Sequence, residues 1–85
     1  MKYEIELNSL GDRFGVALKL SKMSLKDLAV SSGVNVVTMG NWLKNTNRPS
    51  VKNGNAVADA IVINGKSVNR KWFHYGTGQV DDSND

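Results

Sequence analysis

Residues 24–43 have the sequence SLKDLAVSSGVNVVTMGNWL, and this stretch decides the fold. Ser24 is a typical N-cap, and it precedes apolar residues at helical spacing over residues 25–32. Gly33 then supplies the positive φ with which helices commonly end, and Asn35 can cap a second helix. The stretch therefore predicts two short helices joined by a tight turn, which is a helix-turn-helix.

The second of these helices, predicted over residues 36–45, has a buried face and an outward face. Met39, Trp42 and Leu43 recur at helical spacing, so they are expected to pack on the core. Ala29 in the preceding helix is small enough to lie where two steeply crossed helices touch. The outward face has no acidic residue and consists of Val36, Val37, Gly40, Asn41 and Lys44.

One more helix is predicted before this unit and one near the end of the chain. The first covers residues 10–22 and follows the N-cap Ser9. Gly11 and Gly15 each weaken it by about 1 kcal/mol relative to alanine. The last helix is predicted over residues 70–75, with its two large apolar aromatic residues directed inward.

The segment between residues 51 and 67 allows two interpretations. Ser50 can cap a helix over residues 51–63, whose apolar residues recur at helical spacing. Asn64-Gly65 is a turn signal that also fits a hairpin, in which residues 60–63 would be a strand. The helix is the preferred interpretation. The fold class is therefore predicted to be all-α, with five helices.

The chain has 85 residues, which is enough for one domain. Residues 1–8 alternate apolar and polar side chains, as a short strand or an arm does. Such an arm would pair with its twin in a dimer, fold back on the domain, or fray. The domain itself is predicted over residues 9–78. Residues 79–85 are polar and acidic, and they are predicted to form a disordered tail.

Basic residues are concentrated around the predicted helix-turn-helix. The net charge of the whole chain is +3. Between Lys19 and Lys52 the chain has six lysines and arginines against a single acid, Asp27. A basic surface of this kind attracts a polyanion, although an ordinary solvated lysine face would have the same composition.

The composition gives no support to an enzyme or a membrane protein. There is no cysteine, so neither a disulfide nor a thiolate metal site is expected. The one histidine, His74, has no recognisable nucleophile motif to serve, and no phosphate-binding glycine loop is present. We expect no catalysis, metal, cofactor or small-molecule substrate. Because no run of about 20 apolar residues is present, we also expect a cytoplasmic protein without a membrane partner.

The predicted helix over residues 36–45 has the properties of one that reads a DNA major groove. Valines can touch thymine methyl groups and asparagine can pair with adenine. Lysines, arginines and helix N-termini can bind phosphates. The expected base contacts are Asn35, Val36, Val37, Gly40 and Asn41. The expected phosphate contacts are Ser24, Lys26, Thr38, Lys44, Asn45, Asn47 and Arg48.

These residues resemble the helix-turn-helix of the phage-repressor (Cro/repressor, XRE-like) family. Its members typically have a serine-initiated helix, Leu-Ala, Gly-Val, a late aromatic residue and a basic-Pro-Ser loop. The corresponding residues here are Ser24, Leu28-Ala29, Gly33-Val34, Trp42 and Arg48-Pro49-Ser50. The family's Trp-Leu-x-x-Gly-x-Gly ending is similar to WFHYGTG at residues 72–78. The resemblance covers about residues 10–78.

The resemblance implies a lambda-repressor-like DNA-binding domain and a sequence-specific transcriptional repressor, or the N-terminal domain of one. It also implies a homodimer on double-stranded DNA, with two half-sites about 34 Å apart. Three departures qualify it. Leu25 stands where the family usually has glutamine, Val36 and Val37 replace residues that are often polar, and residues 61–67 make a longer link.

Two other functions are compatible with the same residues. Antitoxins with similar helix-turn-helix domains bind a toxin as well as DNA. In that case, the Val36-Val37 face or residues 1–8 would form a protein interface. A non-specific nucleoid-type protein would instead bind every DNA sequence equally.

Overall fold

The computed structural model describes residues 9–84, which form five helices and one two-stranded antiparallel sheet. The helices are α1 (Leu10–Ser21), α2 (Leu25–Ser32), α3 (Val36–Leu43), α4 (Val51–Ala60) and α5 (Arg70–Tyr75). The strands β1 (Val62–Ile63) and β2 (Lys66–Ser67) lie between α4 and α5. No helix in this range is long and apolar enough to cross a membrane. The arm predicted over residues 1–8 lies outside the described residues, as does Asp85.

Four helices begin at the caps that the sequence predicts. In each, the side-chain oxygen of the cap accepts a hydrogen bond from a first-turn backbone amide that would otherwise lack a partner. These caps are Ser9, Ser24, Asn35 and Ser50. Helices α2 and α5 have the predicted bounds, whereas α1 ends at Ser21 and α3 at Leu43, slightly earlier than predicted. Lys22 and Asn45 have φ of 60° and 58°, and this left-handed backbone cannot continue a helix.

The helix predicted over residues 51–63 is wrong in its last turn. Helix α4 ends at Ala60, and β1 pairs with β2 in an antiparallel hairpin. Asn64 and Gly65 form its turn with φ of 52° and 80°, and a type I′ turn requires positive φ at both positions. The β-branched residues before this turn are better accommodated in a strand, where Ile63 is buried. The chain is therefore mostly helical with one small sheet.

Phe14 joins three helices in a common apolar core. Its ring centroid lies 6.0 Å from that of Trp42 in α3 and 5.5 Å from that of Phe73 in α5. The predicted burial of Met39 and Trp42 is confirmed, whereas Leu43 is only partly buried. The other buried apolar residues are Leu10, Ala17, Leu28, Val34, Val57, Ala58, Ile61, Ile63, Val68 and Trp72. This core fixes the orientation of α3.

Residues 79–84 pass beside the start of α5, which differs from the disordered tail expected for this stretch. The backbone amide of Asn69 donates to the carbonyl of Val80 at 2.9 Å, and Val80 packs against the core. The Asn69 Nδ2 also donates to the carbonyls of Asp82 and Ser83, each at 3.3 Å. One buried asparagine therefore caps α5 and holds the segment that follows it.

Candidate nucleic-acid interface

Helix α3 has an outward face because its opposite face is held in the core. Trp42 is only 1 % exposed, and Met39 is completely buried. In the first turn of the helix, Val37 is 71 % exposed and Val36 is 41 % exposed. The two valines therefore project from the N-terminal end of α3, where a helix that enters a groove makes its first contacts.

The turn between α2 and α3 has the geometry expected from the sequence. Gly33 has φ of 77°, and its amide donates to the carbonyl of Ala29 at 2.9 Å. The hydroxyl of Ser32 accepts a hydrogen bond from the amide of Val34 at 3.2 Å, and Val34 is buried. Local hydrogen bonds and one buried side chain thus hold α2 and α3 in a fixed relation.

Two asparagines at the outward face, Asn35 and Asn41, differ in the hydrogen bonds that their side chains make within the fold. The Oδ1 of Asn35 accepts a hydrogen bond from the backbone amide of Val37 at 2.7 Å, which occupies one of its two acceptor positions and leaves the Nδ2 without this constraint. Asn41 is half-buried, and its side-chain amide makes no hydrogen bond within residues 9–84. Asn41 therefore has its whole side-chain amide for a base edge, whereas the Oδ1 of Asn35 is already engaged in one hydrogen bond within the helix.

Gly40 lies on the same face, and nothing in the described chain explains why it is glycine. A Cβ built at this position has no neighbour within 4 Å. Its helical backbone does not need glycine, and alanine there would favour the helix. A close approach by an external partner is a physical reason for the missing side chain.

The expected phosphate contacts are unequal in their exposure. Lys26, Lys44 and Asn47 are exposed, and Thr38 is half-buried. Arg48 is also exposed, but its Nη2 donates to the carbonyl of His74 at 3.3 Å. The interface is thus flanked by positive charges on α2, at the end of α3 and in the following loop.

The N-terminus of α2 is partly neutralised by its own capping box. The Ser24 hydroxyl accepts from the amide of Asp27 at 3.1 Å, and the carboxylate of Asp27 accepts from the amide of Ser24 at 3.5 Å. The amides of Leu25 and Lys26 are the ones left for a phosphate. The nearby carboxylate weakens this anion site relative to the one expected from Ser24 alone.

Asn45 is engaged in the fold to an extent that the sequence does not indicate. Its Oδ1 accepts a hydrogen bond from the amide of Gly11 at 2.9 Å, and its Nδ2 donates to the hydroxyl of Ser9 at 3.2 Å. The side chain that was expected to bind a phosphate therefore joins the end of α3 to the start of α1. A phosphate would have to compete with both bonds.

Arg13 is a supporting residue that the sequence analysis missed. It is 4 % exposed, and its Nε and Nη2 donate to the carbonyls of Phe73 and His74 at 3.1 and 3.0 Å. The carbonyl of His74 thus accepts from Arg13 and from Arg48. The signal was present in the spacing, since Arg13 lies three residues after Leu10 on the buried face of α1.

His74 is packed rather than exposed, and a glycine makes room for it. The ring Nε2 lies 3.1 Å from the Oδ1 of Asn55, and a Cβ on Gly54 would clash with the ring. Burial lowers the pKa of His74, and the charges of Arg48 and Arg13 lower it further, against the effect of a backbone hydrogen bond with Val51. The surroundings of the ring therefore favour its neutral form.

In comparisons with known proteins, no family model, no curated protein and no solved structure matches this chain. Among residues 9–84, no three His, Cys, Asp or Glu side chains are grouped so that they could hold a metal ion. The function is therefore inferred from the geometry and chemistry of α2, α3 and the loop after them.

Proposed function

We propose that this protein is a sequence-specific DNA-binding transcriptional repressor, or the DNA-binding part of one. Its domain would have a lambda-repressor-like fold related to the phage-repressor family. Helix α3 enters the major groove with its first turn, and Asn41 pairs with a base edge. Lys26, Lys44 and Arg48 neutralise phosphates on either side of the groove.

The observation that carries this proposal is the outward face of α3. The burial of Met39 and Trp42 fixes it in place, and it has no acidic residue. It also includes Gly40, where neither the packing nor the helical backbone requires glycine. A helix face with these properties is suited to lie against a negatively charged surface at close range.

The proposed mechanism is occlusion by a homodimer. One α3 helix spans about half a turn of duplex, and two related half-sites about 34 Å apart would supply the remaining specificity. A dimer bound across a promoter denies the site to polymerase. A complex that remains strictly monomeric on its selected DNA in sedimentation measurements would refute this arrangement.

The direct test is selection of random duplex DNA by the purified full chain, followed by sequencing. We expect a two-fold-related site whose base preference at one position is lost in Asn41→Ala. Asn53→Ala, which changes an exposed asparagine of α4, is the matched control and should keep the full preference. Binding of the selected site should weaken steeply with salt, because phosphate contacts release counterions. Equal binding of all sequences would support a non-specific nucleoid-type protein instead.

A second candidate is an antitoxin-like protein whose main partner is another protein. The exposed valines of α3 favour it, since exposed apolar side chains can also serve a protein interface. In that case, a pull-down with the full chain should return one stable protein partner. Its recovery would be insensitive to nuclease and to salt, unlike binding that depends on phosphates.

A further inference from the structure

An apolar surface extends beyond α3 across the turn to α2. Val30, in the last turn of α2, is 82 % exposed, more than either Val36 or Val37. These three valines line an open concavity of about 540 Å³, together with Ala29 and Val34. The surface belongs to the same end of the helix-turn-helix that the proposed function directs into the groove.

Hydrogen-bonding groups are scarce at this end of α3. The Oδ1 of Asn35 already accepts a hydrogen bond from the backbone amide of Val37 at 2.7 Å. Thr38 is half-buried, and the next polar side chain on the outward face is Asn41, more than a turn further along. The leading turn thus presents mainly methyl groups to whatever approaches it.

We propose that the Val30-Val36-Val37 surface recognises the C5-methyl groups of pyrimidines in the DNA major groove. This inference rests on the proposed DNA-binding function and deepens it. The thymine C5-methyl is the one apolar group that an unmodified base pair presents in the major groove, so it is the natural counterpart of a valine. Val30 lines the same open concavity, so that a methyl group placed there can contact valines of both helices.

Charge favours DNA over an apolar protein surface as the occupant. Exposed Lys26 in α2 and exposed Lys44, which directly follows α3, flank the valines in sequence. The carboxylate of Asp27, the one acid of this region, accepts a hydrogen bond from the backbone amide of Ser24 at its own helix end. DNA can interact with the lysines through its phosphates and with the valines through the apolar groups at the floor of its major groove.

Recognition by methyl contact has a specific chemical consequence. Thymine and 5-methylcytosine carry the same C5-methyl group, whereas uracil and cytosine lack it. Burial of one methyl group corresponds to about a fourfold change in Kd. The protein should therefore distinguish thymine from uracil, which differ in nothing but this methyl group.

The test uses the full chain and the duplex obtained by selection. Each thymine is replaced singly by uracil, and Kd is measured at fixed salt. We expect about fourfold weaker binding at one or two positions of each half-site, and little change elsewhere. A second comparison places a G·C pair at such a position. The duplex with 5-methylcytosine, which restores the methyl group, should bind more tightly than the same duplex with cytosine.

Variants assign the effect to this surface. For Val37→Ala, the ratio of the Kd of the uracil duplex to the Kd of the thymine duplex should fall towards one at one position, because the methyl group loses its contact with the valine. Val62→Ala, which truncates an exposed valine of β1, is the control and should keep the full ratio. Circular dichroism checks that both variants remain folded.

The outcomes separate the two levels of the proposal. A selected site that binds equally well with uracil throughout would overturn methyl recognition and leave sequence-specific DNA binding intact. A selected site whose affinity is unchanged by Val37→Ala would likewise overturn methyl recognition by this surface. Failure to select any site would overturn both proposals.

Discussion

The side chain of Asn45 accepts a hydrogen bond from the backbone amide of Gly11 at 2.9 Å, across 34 positions of the sequence. This bond places the first turn of α1 against the end of α3. The approach is so close that a Cβ on Gly11 would lie 2.5 Å from the backbone carbonyl oxygen of Leu43. Glycine at this position is therefore required by packing, although it is an unfavourable residue in a helix.

The contrast between two glycines of α1 gives the first prediction. Gly11→Ala should lower the free energy of unfolding by about 1–3 kcal/mol, because backbone atoms cannot move away from the new methyl group. Gly15→Ala should raise it by up to about 1 kcal/mol, because its Cβ has no neighbour within 4 Å. Urea unfolding of both variants measures the difference. Equal effects of the two substitutions would contradict the close contact between α1 and α3.

Gly40 should show opposite effects on stability and binding. Gly40→Ala should stabilise the fold by up to about 1 kcal/mol, since the site is helical and open, and it should weaken binding to the selected DNA. Gly15→Ala is the matched control, because it should stabilise the fold without changing Kd. If Gly40→Ala binds as tightly as the parent chain, the backbone of α3 does not approach DNA closely at this position.

Stability should depend on the protonation of His74 at mildly acidic pH. Its pKa lies below the ordinary value of 6.5, so the unfolded chain takes up a proton before the folded chain does. The stabilisation is complete above about pH 6.5 and is lost as the pH falls to the folded pKa, by at most about 1.4 kcal/mol per pH unit. Below the folded pKa this contribution no longer changes.

A histidine-free variant isolates that contribution, because His74 is the one histidine of the chain. Urea unfolding at about pH 7.5 and about pH 5.5 should show a larger loss of stability in the parent than in His74→Gln. The carboxylates are the same in both proteins, so their contribution to the pH dependence of stability cancels in the comparison. Identical pH dependence in the two proteins would show that His74 titrates as an exposed histidine does.

Arg48 should contribute to DNA affinity without contributing to specificity. Arg48→Ala is expected to weaken binding to all duplexes by a similar factor and to reduce the slope of log K against log salt by about 0.9, the value for one phosphate. Lys19→Ala removes an exposed charge from α1 and should leave the slope unchanged. An unchanged slope in Arg48→Ala would mean that the guanidinium serves only the carbonyl of His74.

Local signals made α2 and its turn to α3 predictable. Ser24, Gly33 and Asn35 act through bonds to residues two to four positions away, so a short stretch of sequence contains both partners. The hairpin was harder to predict, because Ile61, Val62 and Ile63 suit a strand and a buried helix alike. Only the tertiary packing decides between them.

Contacts between distant residues could not be predicted in the same way. Arg13 and Asn45 find their partners 60 and 34 positions away, and nothing nearby in the sequence indicates either bond. Asn45 was expected to contact a phosphate for the same reason: its place in a polar loop does not indicate that its side chain bonds to α1. The outward face of α3 was predictable because burial of the opposite face follows from helical spacing alone.

The hydrogen bonds of Asn45 to Gly11 and Ser9 also close residues 9–45 into a ring. A helix normally frays from its ends, but α3 cannot loosen at its C-terminal end without also releasing the first turn of α1. The backbone amides of α1, α2 and α3 should consequently exchange with solvent deuterium as one cooperative unit. The β1–β2 hairpin, which is outside the ring, should open independently and exchange faster.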